Sequence, residues 1–314
     1  MRAPLETVLV TGGAGFIGSH VVDRLLAQGR EVVVVDDLGA GKRENLAAHA
    51  SDTRLRVIVA DLRDDFAAAL RGVRATAIVH LAAQVSVPRS LEDPVGDLDV
   101  NLRASVRLLQ WAAGAGVRRV VLASSAAVYG EPARVPVSED MCDRPASPYG
   151  ASKRAAELFF NCLGPSLGVE TAALRPFNVY GPRQDPRSPY SGVVSQFLAR
   201  ARAGEPLVVL GDGQQTRDFV FVEDVARAFV AAIDAPGVDG LIANLGTGHG
   251  KTIAALAAEV VAVTGSASPV VSGAARAGDI AHSLADCTRA ADRLGWRAEV
   301  ALAEGLRRTL AWIG

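Results

Sequence analysis

Tyr149 and Lys153 stand four residues apart, behind Pro148 and ahead of Ala155-Ala156-Glu157-Leu158, a spacing that sets both side chains on one face of a helix. A free phenol, with a pKa of roughly 10, is a poor base at neutral pH, but an adjacent ammonium favours the phenolate. The pair suits removal of a proton from an alcohol while a hydride leaves the same carbon. Upstream, the apolar run Val120 to Ala123 delivers Ser124-Ser125, and the Ser125 hydroxyl can hold the alcohol oxygen or share its proton. Ser125, Tyr149 and Lys153 are therefore the catalytic candidates, and Ser125 and Tyr149 also count as substrate contacts.

A departing hydride needs an acceptor, and the start of the chain provides for one. Thr11-Gly12-Gly13-Ala14-Gly15-Phe16-Ile17-Gly18 follows the apolar run Val8 to Val10 and precedes the amphipathic stretch Val21 to Leu26. Gly12, Gly15 and Gly18 permit a tight turn, close approach to a pyrophosphate, and packing of helix on strand; Phe16 and Ile17 open a helix whose free N–H groups face the phosphates. Eighteen residues past Gly18, the run Val32 to Val35 ends at Asp36. A carboxylate there accepts from a ribose 2′-OH and repels a 2′-phosphate, which selects NAD over NADP. Asp61-Leu62 follows the third apolar run and is placed for the adenine. Leu81-Ala82-Ala83 follows the fourth, with small side chains that let the nicotinamide ribose and diphosphate pass, and Lys153 can bond the same ribose.

These residues need a scaffold that gathers them at one edge. The runs Val8–Val10, Val32–Val35, Arg56–Val59, Ala77–Leu81 and Val120–Ala123 alternate with helical patterns and are apolar throughout, as strands buried on both faces must be. The expected fold is α/β: a Rossmann-like doubly wound parallel sheet over residues 1–173, binding ligands beyond its carboxyl ends. Residues 174–314, where loops such as Arg175–Ser191, Gly211–Asp218 and Gly273–Asp279 are rich in Pro, Gly and Arg, form a smaller mixed α/β substrate-binding part with segments returning to the first domain.

Composition narrows the partners. The chain has 314 residues, 49% of them hydrophobic, enough for a sizeable core. Lys plus Arg number 33 against 34 for Asp plus Glu, so no basic field exists for nucleic acid or an anionic membrane. Cys142, Cys162 and Cys287 are far apart and lack ligand spacing, which predicts no metal site and a reducing compartment. No leader pattern and no bilayer-length apolar run is evident, and the reading is cytoplasmic.

Beyond the glycine turn and the Tyr149/Lys153 pair, four further segments complete a pattern: Ser125-Ala126-Ala127-Val128-Tyr129-Gly130, Arg175-Pro176-Phe177-Asn178-Val179-Tyr180-Gly181-Pro182, Gly211-Asp212-Gly213-Gln214-Gln215-Thr216-Arg217-Asp218, and Arg276-Ala277-Gly278-Asp279. With these, the chain resembles, over nearly its whole length, the extended short-chain dehydrogenase/reductases, specifically the NAD-dependent sugar-nucleotide epimerase/dehydratase family. The resemblance implies a UDP-sugar substrate, with Asn178 on its diphosphate, Arg217 and Arg276 on phosphate or nucleoside, Asp279 on the nucleoside ribose, and Ser283 beside the sugar. It also implies a homodimer through the amphipathic stretches Asn101–Ala115 and Ala151–Leu163, with Val106, Leu109, Phe159 and Leu163 on their apolar faces; a core-facing role explains the same residues.

The reaction is read from the two positions after Ser125. Relatives that resemble 4,6-dehydratases carry an Asp-Glu pair there, whereas Ala126 and Ala127 can neither donate nor accept protons. What remains is oxidation at C4, turnover of the keto sugar, and return of hydride to its other face: C4 epimerisation with NAD regenerated in each cycle. UDP-glucose/UDP-galactose and their N-acetyl analogues both fit, since Ser283 is small. Arg187, in a loop expected near the sugar, raises UDP-glucuronate as an alternative through its C6 carboxylate, although Asn178 and Asp185 depart from the pattern of uronate epimerases. A further alternative is a non-catalytic NAD-binding sensor, disfavoured because Ser125, Tyr149 and Lys153 are all present.

Overall fold

The Val-rich runs do form parallel strands. A computed structural model describes residues 6–141, 143–186, 192–275 and 278–314. Strands β1 (Thr7–Thr11), β2 (Glu31–Asp36), β3 (Leu55–Val59), β4 (Ala77–His80) and β5 (Arg119–Ala123) are joined by β6 (Glu170–Pro176) and, after the short strands β7 (Asn178–Tyr180), β8 (Leu207–Leu210) and β9 (Thr216–Phe221), by β10 (Leu241–Leu245). The large sheet has seven strands in the order β10-β6-β5-β4-β1-β2-β3, and every pairing in it is parallel.

Side chains alternate between its two faces, as the pleat requires. Val8, Val10, Val32, Val34, Val79 and Val121 pack with the helices Phe16–Ala27 and Val222–Asp234. Leu9, Val33, Ile78, Val120 and Leu122 pack on the other side with the helices Ala104–Gly114 and Pro148–Leu167. Both layers are dry, so the strands carry no polar alternation, while β3 at the sheet edge is only half-buried.

The remaining strands form small sheets: β7 runs parallel to β9, β9 runs antiparallel to β11 (Gly250–Thr252), and β8 pairs with β12 (Val270–Gly273). The helices Val193–Ala203, Ile253–Thr264 and Leu302–Ile313 cover this part around a third core containing Phe197, Leu207, Phe221, Leu256 and Leu306. Segments expected to be loops are partly strand. Arg175-Pro176 ends β6, and Thr216-Arg217-Asp218 begins β9. Their proline and glycine neighbours obscure strands of only three to seven residues.

The two amphipathic stretches divide their apolar residues. Leu109 is fully buried in the core and Leu163 packs against it, whereas Phe159 faces outward. The helix Ala104–Gly114 is preceded by a π-type turn, Asp99–Arg103, which carries the buried Asn101.

Candidate active site

The cofactor cradle is built from close backbone contact. Gly12 has φ +68°, and a Cβ there would stand 2.7 Å from the Ala82 nitrogen, so the turn after β1 packs directly on the segment after β4. A Cβ on Gly18 would lie 2.1 Å from the Gly12 carbonyl oxygen, which is why helix and turn close together only with glycine. At Gly15 a Cβ would meet only the Gly12 carbonyl oxygen, at 3.1 Å, leaving the mouth of the turn open. No side chain caps the helix that Phe16 and Ile17 open, so its first N–H groups are offered to an anion.

At the tip of β2, buried Asp36 accepts from Ala14 N–H at 3.0 Å and Leu38 N–H at 2.9 Å, tying the glycine turn to the next loop. Burial raises its pKa, opposed by these two backbone donors. The open cradle, the uncapped helix and the buried carboxylate fit a dinucleotide. Leu62 is buried, while Asp61 is gripped by Arg63 at 2.6 Å, which holds its carboxyl below the usual range.

The segment Leu81-Ala82-Ala83 is positioned by a buried relay. Ser105 Oγ donates to the Asn101 carbonyl at 2.7 Å, so it accepts from His80 Nε2–H at 2.8 Å. Nδ1 of His80 then accepts from the Thr11 hydroxyl at 2.6 Å, and the Thr11 oxygen accepts from Ala82 N–H at 3.3 Å. His80 is thereby fixed as a neutral tautomer, and burial, reinforced by Lys153, pushes it down to about 3. It supports the site from beneath.

Ser125 caps the short turn Ala126–Tyr129, accepting from Ala127 N–H at 3.1 Å, and its side chain lies near enough to the Tyr149 phenol to lower its pKa. Tyr149 and Lys153 lie in the first two turns of the helix Pro148–Leu167, which Ser147 caps by accepting from Gly150 N–H at 3.2 Å. Burial pushes the Tyr149 phenol up and the Ser125 side chain pulls it back; nearby Asp97 adds to the rise. The sequence suggests that Lys153 lowers this pKa, whereas in the structure the phenol responds to Ser125 and Asp97, and the ammonium donates to the Ala123 carbonyl at 2.9 Å. Burial lowers Lys153 to about 8, with Asp97 and Glu157 opposing the fall.

Across the mouth, Asn178 begins β7 and donates to the Asp218 carbonyl at 3.3 Å. Arg217 on β9 pairs with Asp279 at 2.5 Å, and Ser283, half-buried, donates its N–H to the Thr216 carbonyl at 3.1 Å. Arg187 and Arg276 lie outside the described residues. Sequence reasoning gave no role to Asp97, Asn101, Glu157 or Asp218, all of them buried. Asp218 accepts from Thr247, Gly248 and Ala285 backbone N–H groups, binding two loops to β9. A polar residue inside an apolar helix face, such as Glu157 between Ala156 and Phe160, was the available signal.

Comparison with known proteins points to one family. A family model described as "NAD dependent epimerase/dehydratase family" matches residues 8–246. A "UDP-glucose 4-epimerase" from Mycolicibacterium smegmatis is 44% identical over 304 residues, covering 96% of each chain. The structure of a Thermotoga maritima UDP-glucose 4-epimerase with UDP-glucose is similar at a TM-score of 0.92, with 38% identity over 98% of both chains. That of a UDP-N-acetylglucosamine 4-epimerase from Methanobrevibacter ruminantium, in complex with UDP-N-acetylmuramic acid, is similar at 0.93, with 36% identity over 99% of both. The chain belongs to the NAD-dependent epimerase/dehydratase family.

Proposed function

We propose that this protein is a UDP-sugar 4-epimerase, inverting C4 of a UDP-hexose of the glucose/galactose type or its N-acetyl analogue through a 4-keto sugar. The observation that carries the reading is Ser125 set against the Tyr149 phenol, with Lys153 one helical turn on, followed by Ala126 and Ala127 where elimination would need an acid and a base. NAD bound over the glycine turn supplies a hydride acceptor that also returns the hydride. Ser125 holds the C4 oxygen, and Tyr149 takes the 4-OH proton and later gives it back. Because burial raises the phenol, that proton leaves only with help from positive charge, which Lys153 brings from one helical turn away.

Asn178 is assigned to the diphosphate, and the Arg217–Asp279 pair to the phosphate and ribose of the nucleotide, where a guanidinium and a carboxylate match acceptor and donor. Ser283 leaves room for an N-acetyl group. Asp36 favours NAD by accepting from an unmodified ribose. The proposed assembly is a homodimer: Leu91, Val95, Leu158 and Phe159 are 63%, 69%, 53% and 43% exposed on neighbouring helices, an apolar face suited to a second copy.

The test is incubation of purified protein with UDP-glucose, UDP-N-acetylglucosamine or UDP-glucuronate, without reductant, following anomeric protons by NMR. Equilibration of the first or second with its C4 epimer is expected. Exclusive turnover of UDP-glucuronate would move the substrate to the uronate class, and no turnover with NAD bound would overturn the epimerase reading.

A further inference from the structure

One buried carboxylate beside the reacting centre has no part in the chemistry above. Glu157 is wholly inaccessible, one helical turn beyond Lys153. Its Oε1 accepts from the Ser124 hydroxyl and from Arg175 Nε at 2.8 Å; its Oε2 accepts from Arg175 Nη2 at 2.6 Å and Arg154 Nη1 at 3.1 Å. Arg175, equally buried on β6, lies 4.7 Å over the Tyr129 ring, and Tyr129 donates to Asn244 Oδ1 on β10 at 2.7 Å.

Three elements of the site thus converge on one side chain: the helix carrying Tyr149 and Lys153, the β5 end that becomes Ser125, and β6, which leads into Asn178. A bidentate, dry ion pair is a poor source of net stability, since desolvating two charges offsets most of their attraction. It is a good source of fixed geometry and of a standing local field. We propose that Glu157 is a positioning residue for the reaction, holding the strand end that carries Ser125 and the helix that carries Lys153 in mutual register. This rests on the proposed roles of Ser125 and Lys153 and extends them to a group that touches neither substrate nor cofactor.

The groups acting on or acted on by Lys153 are Asp97 from the helix Pro94–Leu98, His80 from β4, and Glu157 from its own helix. Those facing Glu157 are Arg154, Arg175 and Ser124, with Asp143 paired to both arginines. His80 is held neutral, so Asp97 and Glu157 are the two negative charges that sustain the ammonium. Burial alone works against it.

The chain has only three lysines, Lys42, Lys153 and Lys251, so a spectrum of protein carrying 13C-lysine resolves the Lys153 ε-carbon. In the ligand-free chain its titration is expected at about 8. In Glu157→Gln the midpoint moves down by about one unit, as loss of a nearby opposite charge dictates. The alkaline limb of kcat follows it downward, with kcat reduced about tenfold and KM little changed. Ser124→Ala removes a single hydroxyl and leaves the ion pair intact; it carries the test should Glu157→Gln fail to fold. Its kcat falls with the Lys153 midpoint unmoved. An unmoved midpoint in folded Glu157→Gln, or wild-type kcat in Ser124→Ala, would overturn the proposal. The lysine titration is read without any sugar, so absence of epimerase activity in the wild type bears on the functional reading alone.

Discussion

Tyr149 has the most direct consequence of any single residue. Replacing it by phenylalanine keeps the ring and removes the proton carrier, so kcat is expected to fall by about 10²- to 10⁴-fold, the usual worth of a positioned acid–base group. NAD binding, followed by fluorescence, should stay near wild type, because the cradle lies on other elements; equal loss of both would refute the assignment. His80 makes a prediction about stability. The unfolded chain takes up a proton near 6.5, the folded chain only near 3, so acid favours unfolding. The contribution is intact above 6.5 and is lost as the pH falls toward 3, at up to about 1.4 kcal/mol per unit. Denaturant melts of wild type and His80→Gln between pH 5 and 7 should show a shallower slope in the variant. Parallel slopes would mean that His80 is already charged in the folded chain.

Elements decide whether such residues meet. The glycine turn is intolerant at one position above all: a Cβ on Gly18 collides with the Gly12 carbonyl, so helix and strand must part. Gly18→Ala is expected to cost about 2 kcal/mol, in the range of overpacked cores, and to weaken NAD binding together with it. Chemical denaturation and NAD titration of one sample read both, and an unchanged midpoint would show that the turn has slack. The turn was legible in the sequence because glycine spacing, flanking strand and terminal Asp36 each report a local backbone demand. So were Tyr149 and Lys153, whose separation is a helical period. By contrast, Glu157, Asp97 and Asn101 are defined by partners 13 to 55 residues away, such as Ser152 on Asp97 and Gln84 on Asn101, and no local pattern announces a long-range hydrogen bond. For the same reason β7 and the first half of β9 read as loop in the sequence: their strand character comes from pairing with each other and with β11.

At the scale of the molecule, exposed Leu158 and Phe159 share a helix with the buried groups that hold Lys153. Phe159→Glu places a charge in the proposed dimer contact and is expected to shift the protein to monomer in sedimentation at micromolar concentration. A dimer that survives it would place the contact elsewhere. The path of the chain has an architectural outcome as well. β6 and β10 are neighbours in the large sheet, and their last residues, Pro176 and Leu245, sit opposite each other in register. The segments that run on to Asn178 and to Thr247 therefore leave the scaffold side by side, two residues or fewer from its rim. Those exits lie at one end of the sheet, whereas β1 and β2, which carry the glycine turn and Asp36, lie toward the other. Such a layout is modular: the strand pair that feeds Asn178 and Thr247 and the strand pair that shapes the cradle occupy opposite halves of one sheet.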